Sequence, residues 1–380
     1  MRVLIVDTYY AAFVAARYAR DDLARRPYQE QLAALMAERF GTADAYSHHL
    51  RQIGHEATEV VANCEPLQRA WARERGRARG AAALARALPG RFGGRLQRGA
   101  LHEVLAAQVE AYDPDVVYVQ NMGFHSTAQI EELRGAGRRL VVGQIASPAP
   151  PERHLRAFDL IVTSFPHFAE RFGALGIDSE YVPLAFDERL HDVTDASPDN
   201  ARPYPVSFIG GVNPAMHAAG TEVLERLARR MPVEFWGYGA EALPRDSKIR
   251  ESHHGEAWGL EMYRVLGSSK IVVNRHIDVA EGYANNMRLY EATGMGAMLI
   301  TDRGRNLADL FEPGGEVVVY EDAEDLAEKI SRYLADDETR GRVAAAGQAR
   351  TLREHTYARR IPQLAEILED RLRRRNARRS

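Results

Sequence analysis

The sequence predicts an α/β protein built from two open parallel-sheet domains that face each other across a cleft, with helices at its C-terminal end. Three observations carry this expectation. Short apolar runs alternate with helical stretches along most of the 380 residues, the pattern of β-α-β units. The alternation restarts after one polar, proline-bearing segment, residues 193–203, which reads as a linker. From Ala323 onward the chain is mostly helical.

The strands expected in the first half are residues 3–6, 56–61, 116–119, 140–143, 160–163 and 180–182. In the second half they are 206–209, 234–236, 271–274, 297–301 and 317–320. Ligands of such sheets bind outside the carboxyl ends of the strands, so the strand-to-loop junctions are where function is sought. Composition narrows the classes first. A chain 45% hydrophobic and 27% charged, with net charge -3, is an ordinary globular protein. The single cysteine, Cys64, excludes a disulfide scaffold and a cysteine-based zinc cluster, and suits a cytoplasmic protein. No apolar run approaches the roughly 18 residues of a membrane span. The opening MRVLIVDTYY reads as a buried first strand because Asp7 interrupts its apolar core.

The most informative junction follows residues 271–274. A helix opens at Asn285-Asn286, carries Arg288 in its first turn and Glu291 close behind, and ends at Gly294 and Gly296. Asparagines are good caps. An arginine in the first turn opposes the helix dipole. It makes sense there if an anion lies between it and the free N–H groups, and a diphosphate fits. The plain alternative is an Arg288–Glu291 ion pair three residues apart. Asn274-Arg275-His276 lies at the same edge, where Arg275 or His276 adds positive charge or His276 makes a structural hydrogen bond. Gly210-Gly211 after residues 206–209 permits close backbone approach to a ligand, or is a tight turn. Neither it nor the first strand is followed by G-x-G-x-x-G, which argues against a nicotinamide dehydrogenase.

In the first half, Asp7 ends the first strand, where a carboxylate suits a base on a bound hydroxyl or a structural cap. Gly41-Thr42-Ala43-Asp44 opens a helix carrying Tyr46, His48 and His49. Gln120-Asn121-Met122-Gly123-Phe124-His125 supplies polar groups and one histidine after residues 116–119. Asp113-Pro114-Asp115 precedes that strand, so it lies at the wrong edge for a metal-diphosphate site and reads as a turn. No His/Glu cluster has zinc spacing. The arginine-rich stretch 68–98 reads as a solvated helical face, or as a surface for an anionic acceptor or membrane headgroups that would make the protein peripheral to a membrane. The six arginines between Arg371 and Arg379 read as a frayed, solvated tail or an anion contact, with no strong nucleic-acid signal.

Taken together, Asn286-Met287-Arg288-Leu289-Tyr290-Glu291-Ala292, Gly296, Thr301-Asp302, Leu310-Phe311-Glu312-Pro313-Gly314 and Arg353-Glu354-His355-Thr356-Tyr357 with Arg360 resemble the CgeB-type (spore-maturation-like) glycosyltransferases. These are relatives of the group 1 (family 4) enzymes of GT-B fold, with two Rossmann-like domains. The resemblance spans residues 206–360, with a weaker match over 158–177 and 181–187. It implies an acceptor domain over 1–192, a nucleotide-sugar domain over 203–350, and a C-terminal helix with a basic tail over 351–380. It further implies metal-independent transfer of a sugar from a nucleotide diphosphate sugar, as donor substrate and without a cofactor. By position, Glu291 would bind ribose hydroxyls, Asn285, Asn286, Met287 and Arg288 the diphosphate, and Tyr238-Gly239 with Trp258-Gly259 the base; Gly210 and Gly211 would lie beside them.

The group 1 pattern has a Glu eight positions before the ribose Glu; here that position is Tyr283, with Glu281 two residues off. The Arg and Lys of that pattern fall at Gly211 and His217, which makes Arg288 the replacement cation. An inverting enzyme needs a base, with Asp7 first and His125 second; a retaining one would use the polar groups at Gln120–His125 to orient the acceptor. A nucleotide-sugar epimerase of the same fold and a non-catalytic sugar-nucleotide-binding protein are the alternatives.

Overall fold

Among the described residues eleven strands form, each overlapping the segment expected for it, and every pairing between them is parallel. The computed structural model describes residues 1–76, 91–194 and 202–377. The chain divides into two units, Met1–Pro183 with Arg360–Ser380, and Leu184–Arg359. Most of the expected linker, residues 195–201, lies outside the described residues, as do residues 77–90 of the arginine-rich stretch.

The first unit holds β1 (Arg2–Asp7), β2 (Glu56–Val61), β3 (Val116–Val119), β4 (Leu140–Ile145), β5 (Leu160–Thr163) and β6 (Ser179–Tyr181), in the order β2-β1-β3-β4-β5-β6. The second holds β7 (Tyr204–Ile209), β8 (Glu234–Trp236), β9 (Ser269–Val273), β10 (Met298–Asp302) and β11 (Val318–Tyr320), in the order β11-β10-β9-β7-β8. In both sheets the order reverses beside the first strand, between β1 and β3 and between β7 and β9. Loops leaving the sheet there run to opposite faces, and the crevice between them is where open α/β sheets bind ligands.

Alternation along the second sheet explains why its strands read as unbroken apolar runs. Val206, Phe208, Ile271, Val273, Met298 and Ile300 pack on one face, with Leu224 and Leu227 of the helix Pro214–Ala228 and Leu326 and Ile330 of the helix Ala323–Ala335. Ile209, Val272 and Leu299 pack on the other, with Tyr263 and Leu266 of the helix Leu260–Gly267 and Leu289 and Tyr290 of the helix Met287–Gly294. A parallel sheet covered on both sides needs apolar side chains in both directions.

The arginines at the C-terminal end depart from the expected frayed tail. The helix Tyr357–Ala377 runs through them, and Arg371 pairs with Asp178 at 2.7 Å and Glu180 at 2.8 Å, while Arg374 pairs with Asp370 at 2.8 Å. Acidic partners on β6 and just before it, and one turn earlier in the helix, support this helical end; Arg378 and Arg379 lie outside the described residues. Among the described residues no helix is long and apolar enough to cross a membrane.

Leu299 is fully buried in the middle of β10. Leu299→Ala is expected to cost about 2–5 kcal/mol of stability in chemical denaturation. Leu352→Ala, at a position 37% exposed, should cost less than about 0.5 kcal/mol.

Candidate functional site

The start of the helix Met287–Gly294 is tied to the sheet by one side chain. Asn286 sits at its N-cap with extended dihedrals, and its Oδ1 accepts from Leu289 N at 3.2 Å. Its Nδ2 donates to Asn274 Oδ1 at 2.8 Å and to Arg275 O at 3.0 Å, just past β9. Asn274 Nδ2 in turn donates to Thr301 Oγ1 of β10 at 3.0 Å, and Tyr320 Oη of β11 donates to Asn274 O at 3.3 Å. Asp302 accepts from His276 N at 3.1 Å and lies 2.6 Å from His276 Nδ1. The carboxyl ends of three strands thus fix where the helix begins. Asn285, directly before the cap, is buried.

Arg288 and Glu291 do form the ion pair that their spacing allows. Arg288 Nη1 donates to Glu291 Oε2 at 2.8 Å and lies 3.2 Å from Met262 Sδ, while the buried Arg288 Nε has no hydrogen-bond partner. The other carboxylate oxygen, Glu291 Oε1, accepts from Tyr263 Oη at 3.1 Å. Burial, reinforced by the Glu291 carboxylate, holds the Tyr263 phenol protonated well above its ordinary range. Both oxygens of Glu291 are therefore engaged, yet each keeps a lone pair. Tyr263 was not singled out from sequence; it lies 28 residues from Glu291, and only the packing of two helices on one sheet face joins them.

Gly210 and Gly211 serve close packing between neighbouring loops. Gly210 N donates to Trp236 O and Val212 N to Tyr238 O, both at 3.0 Å, carrying the β7–β8 pairing past the strands. A Cβ at Gly211 would lie 2.7 Å from the Tyr238 ring. Gly239 adopts φ 94, a left-handed conformation that glycine alone takes readily. The Tyr238 and Trp258 rings are nearly parallel, 10° apart, with centroids 6.5 Å apart, and Trp258 Nε1 donates to Glu256 Oε2 at 3.1 Å. Arg275 packs against Gly220 on the helix that follows Gly211, so it spans the reversal point between β7 and β9. That helix departs from helical dihedrals at His217.

At the reversal point of the first sheet, Asp7 Oδ1 accepts from Thr8 N at 2.7 Å, and burial pushes the carboxyl up to about 7. Gln120 Oε1 accepts from Thr42 Oγ1 at 2.9 Å, and Asn121 Nδ2 donates to Thr8 Oγ1 at 2.7 Å. Tyr46 Oη and Tyr118 Oη both donate to Gln144 Oε1, at 3.0 and 2.8 Å. His49 is buried on the helix Ala45–Gln52, with the His48 ring edge-on to it. His125 is buried against Phe124 and His102, and burial pushes its imidazole down to about 3. A base that weak ranks behind Asp7 at neutral pH. Asp113-Pro114-Asp115 joins the preceding helix to β3 at the amino edge, where Asp115 Oδ2 accepts from Arg2 N at 2.7 Å.

Residues 220–366 match the sequence family described as "Glycosyl transferase-like". No curated protein sequence matches the chain. Among solved structures, sucrose-phosphate synthase from Thermosynechococcus elongatus superposes with TM-score 0.58 at 12% identity, covering 97% of this chain and 99% of that one. A glycosyltransferase from Rickettsia africae ESF-5 gives TM-score 0.59 at 10% identity, with 98% of both chains covered. HepE of Anabaena, solved in complex with UDP-glucose, gives 0.57 at 14% identity over 97% of this chain and 100% of that one. The fold is accordingly GT-B, two Rossmann-like parallel-sheet domains with C-terminal helices.

The Asp7 carboxyl has a testable signature. Its folded-state value of about 7 lies above the ordinary 3.8, so the folded protein holds this proton more tightly than the unfolded chain. That contribution to stability is complete below the unfolded value and is lost as pH rises through 7. Asp7→Asn should therefore be more stable than wild type at pH 8, by on the order of 4 kcal/mol, with the gap closing toward pH 4. A pH-independent difference would contradict the assignment.

Proposed function

We propose that this protein is a glycosyltransferase that moves a sugar from a nucleotide diphosphate sugar to an acceptor hydroxyl. The observation that carries the reading is the start of the helix Met287–Gly294, which joins first-turn N–H groups, Arg288 and Glu291 at the carboxyl edge of a sheet, inside the matched segment 220–366. The diphosphate lies against those N–H groups and the Arg288 guanidinium, with Asn285 and Met287 beside it. Glu291 takes ribose hydroxyls on the lone pairs left over by Arg288 and Tyr263. The base lies by Tyr238, Gly239 and Trp258, and Gly210 and Gly211 let the main chain approach the ligand closely. HepE in complex with UDP-glucose favours UDP as the first nucleotide to try.

In the transfer step the acceptor oxygen bonds to the anomeric carbon while that carbon's bond to the phosphate oxygen breaks. The electron pair leaves with the nucleoside diphosphate. The hydroxyl proton passes to Asp7 in an inverting path, or to the departing diphosphate in a retaining one. Arg288 and the helix N–H groups stabilise the charge that develops on the leaving group. We read this as metal-independent chemistry, because fixed donors do the work a cation would do.

Thermal-shift measurement with UDP, GDP, ADP and their sugars tests this. A nucleoside diphosphate at about 100 times its Kd should stabilise the wild type by about 2.7 kcal/mol. Arg288→Ala should abolish that shift, each variant being compared with its own ligand-free melt, because losing the arginine also leaves the buried Glu291 a partner short. No shift with any nucleotide would sink the reading.

A further inference from the structure

Two buried histidines of the first unit each keep one ring nitrogen unsatisfied. His102 lies on the helix Arg91–Tyr112 and is 5% exposed; His125 follows β3 and is 4% exposed. Neither His102 Nδ1 nor His125 Nε2 has a hydrogen-bond partner among the described residues. The two rings meet edge to face, with centroids 5.9 Å apart. Their surroundings fix both. Ser126, directly after His125, caps the helix Thr127–Arg134: its Oγ accepts from Gln129 N at 3.4 Å and its N donates to Gln129 Oε1 at 2.8 Å. Glu132 of that helix accepts from His102 Nε2 at 2.8 Å. Two helices and a loop therefore converge on one pair of rings.

The protonation chemistry of the pair is that of a metal ligand set. A carboxylate only accepts, so His102 Nε2 carries the proton that meets Glu132, and the lone pair of the neutral ring is left on Nδ1. A carboxylate behind the far nitrogen of a ligating histidine fixes the tautomer and makes the ring a stronger donor. Burial, with His102 and His154 close by, pushes the His125 imidazole down to about 3, so at neutral pH it too has a lone pair to give. With nitrogen–metal bonds of about 2.0–2.1 Å, two imidazoles on one ion have ring centres about 5–6.5 Å apart, a range that includes the observed spacing. His154 differs: its Nδ1 lies 3.1 Å from Thr127 Oγ1 and its Nε2 donates to Met122 O at 2.8 Å, so both nitrogens are engaged. Imidazole nitrogen suits zinc, copper and nickel, whereas calcium and magnesium take oxygen.

We propose that His102 Nδ1 and His125 Nε2 bind one divalent ion of the zinc, copper and nickel class, with water on its remaining positions and Glu132 as the positioning residue behind His102. The ion clips the loop after β3 to the helix Arg91–Tyr112. It takes no part in sugar transfer, and its binding is independent of the donor reading.

Calorimetric titration of the untagged full chain with zinc, copper and nickel chlorides, after chelator treatment, tests it. At least one of the three should bind with one ion per chain and raise the melting temperature. His102→Ala and His125→Ala should each abolish that binding, and Glu132→Gln should weaken it about 10–100-fold. His254→Ala, which removes the exposed His254–Glu234 pair of the second unit, should leave it unchanged. Anomalous diffraction at the edge of the bound metal should place the ion between His102 and His125, and it decides the question if an alanine variant fails to fold. The proposal is overturned if none of the three ions binds, if binding survives both alanine variants, if His254→Ala removes it, or if the anomalous peak lies elsewhere.

Discussion

The side-chain amide of Asn286 is shared between a helix and a sheet, and the candidate donor site depends on that sharing. Its oxygen caps the helix Met287–Gly294 and its nitrogen binds Asn274 and Arg275 at the end of β9. The cap alone is worth about 1 kcal/mol. The larger consequence is positional: with the helix start pinned to β9, Arg288 and Glu291 one turn further on are pinned as well. The neighbouring bonds from Asn274 to Thr301 and from Tyr320 to Asn274 extend the same restraint across β10 and β11.

That restraint explains how an arginine is tolerated where it stands. The helix dipole disfavours a first-turn cation by about 0.3–1 kcal/mol. A hydrogen bond to a charged partner contributes about 1.5–3 kcal/mol, so the Glu291 contact more than offsets the dipole. Tyr263 supports Glu291 from the other side. The pair is therefore stable by itself, and under the proposed function Arg288 is held in place before a ligand arrives. A site organised in advance loses less entropy on binding.

The strands were legible because a sheet buried on both faces must be apolar in both directions; residues 271–273 and 298–300 show this most clearly. The helix start was legible because Asn-Asn followed by Arg is a local signal. What the sequence hid were contacts set by strand order and helix packing. Tyr263 meets Glu291 across 28 residues, and Thr8 meets Asn121 across 113. Neither has a periodic signature, and strand order is itself invisible to periodicity. Arg371 read as part of a solvated tail because two of its partners, Asp178 and Glu180, lie 193 and 191 residues away.

A crystal structure of the protein with UDP tests the central claim most directly. The account predicts the diphosphate at the start of the helix Met287–Gly294, with the Arg288 guanidinium on a phosphate oxygen and the ribose hydroxyls on Glu291. UDP bound away from this helix start, with no phosphate oxygen on Arg288 and no ribose hydroxyl on Glu291, would contradict it.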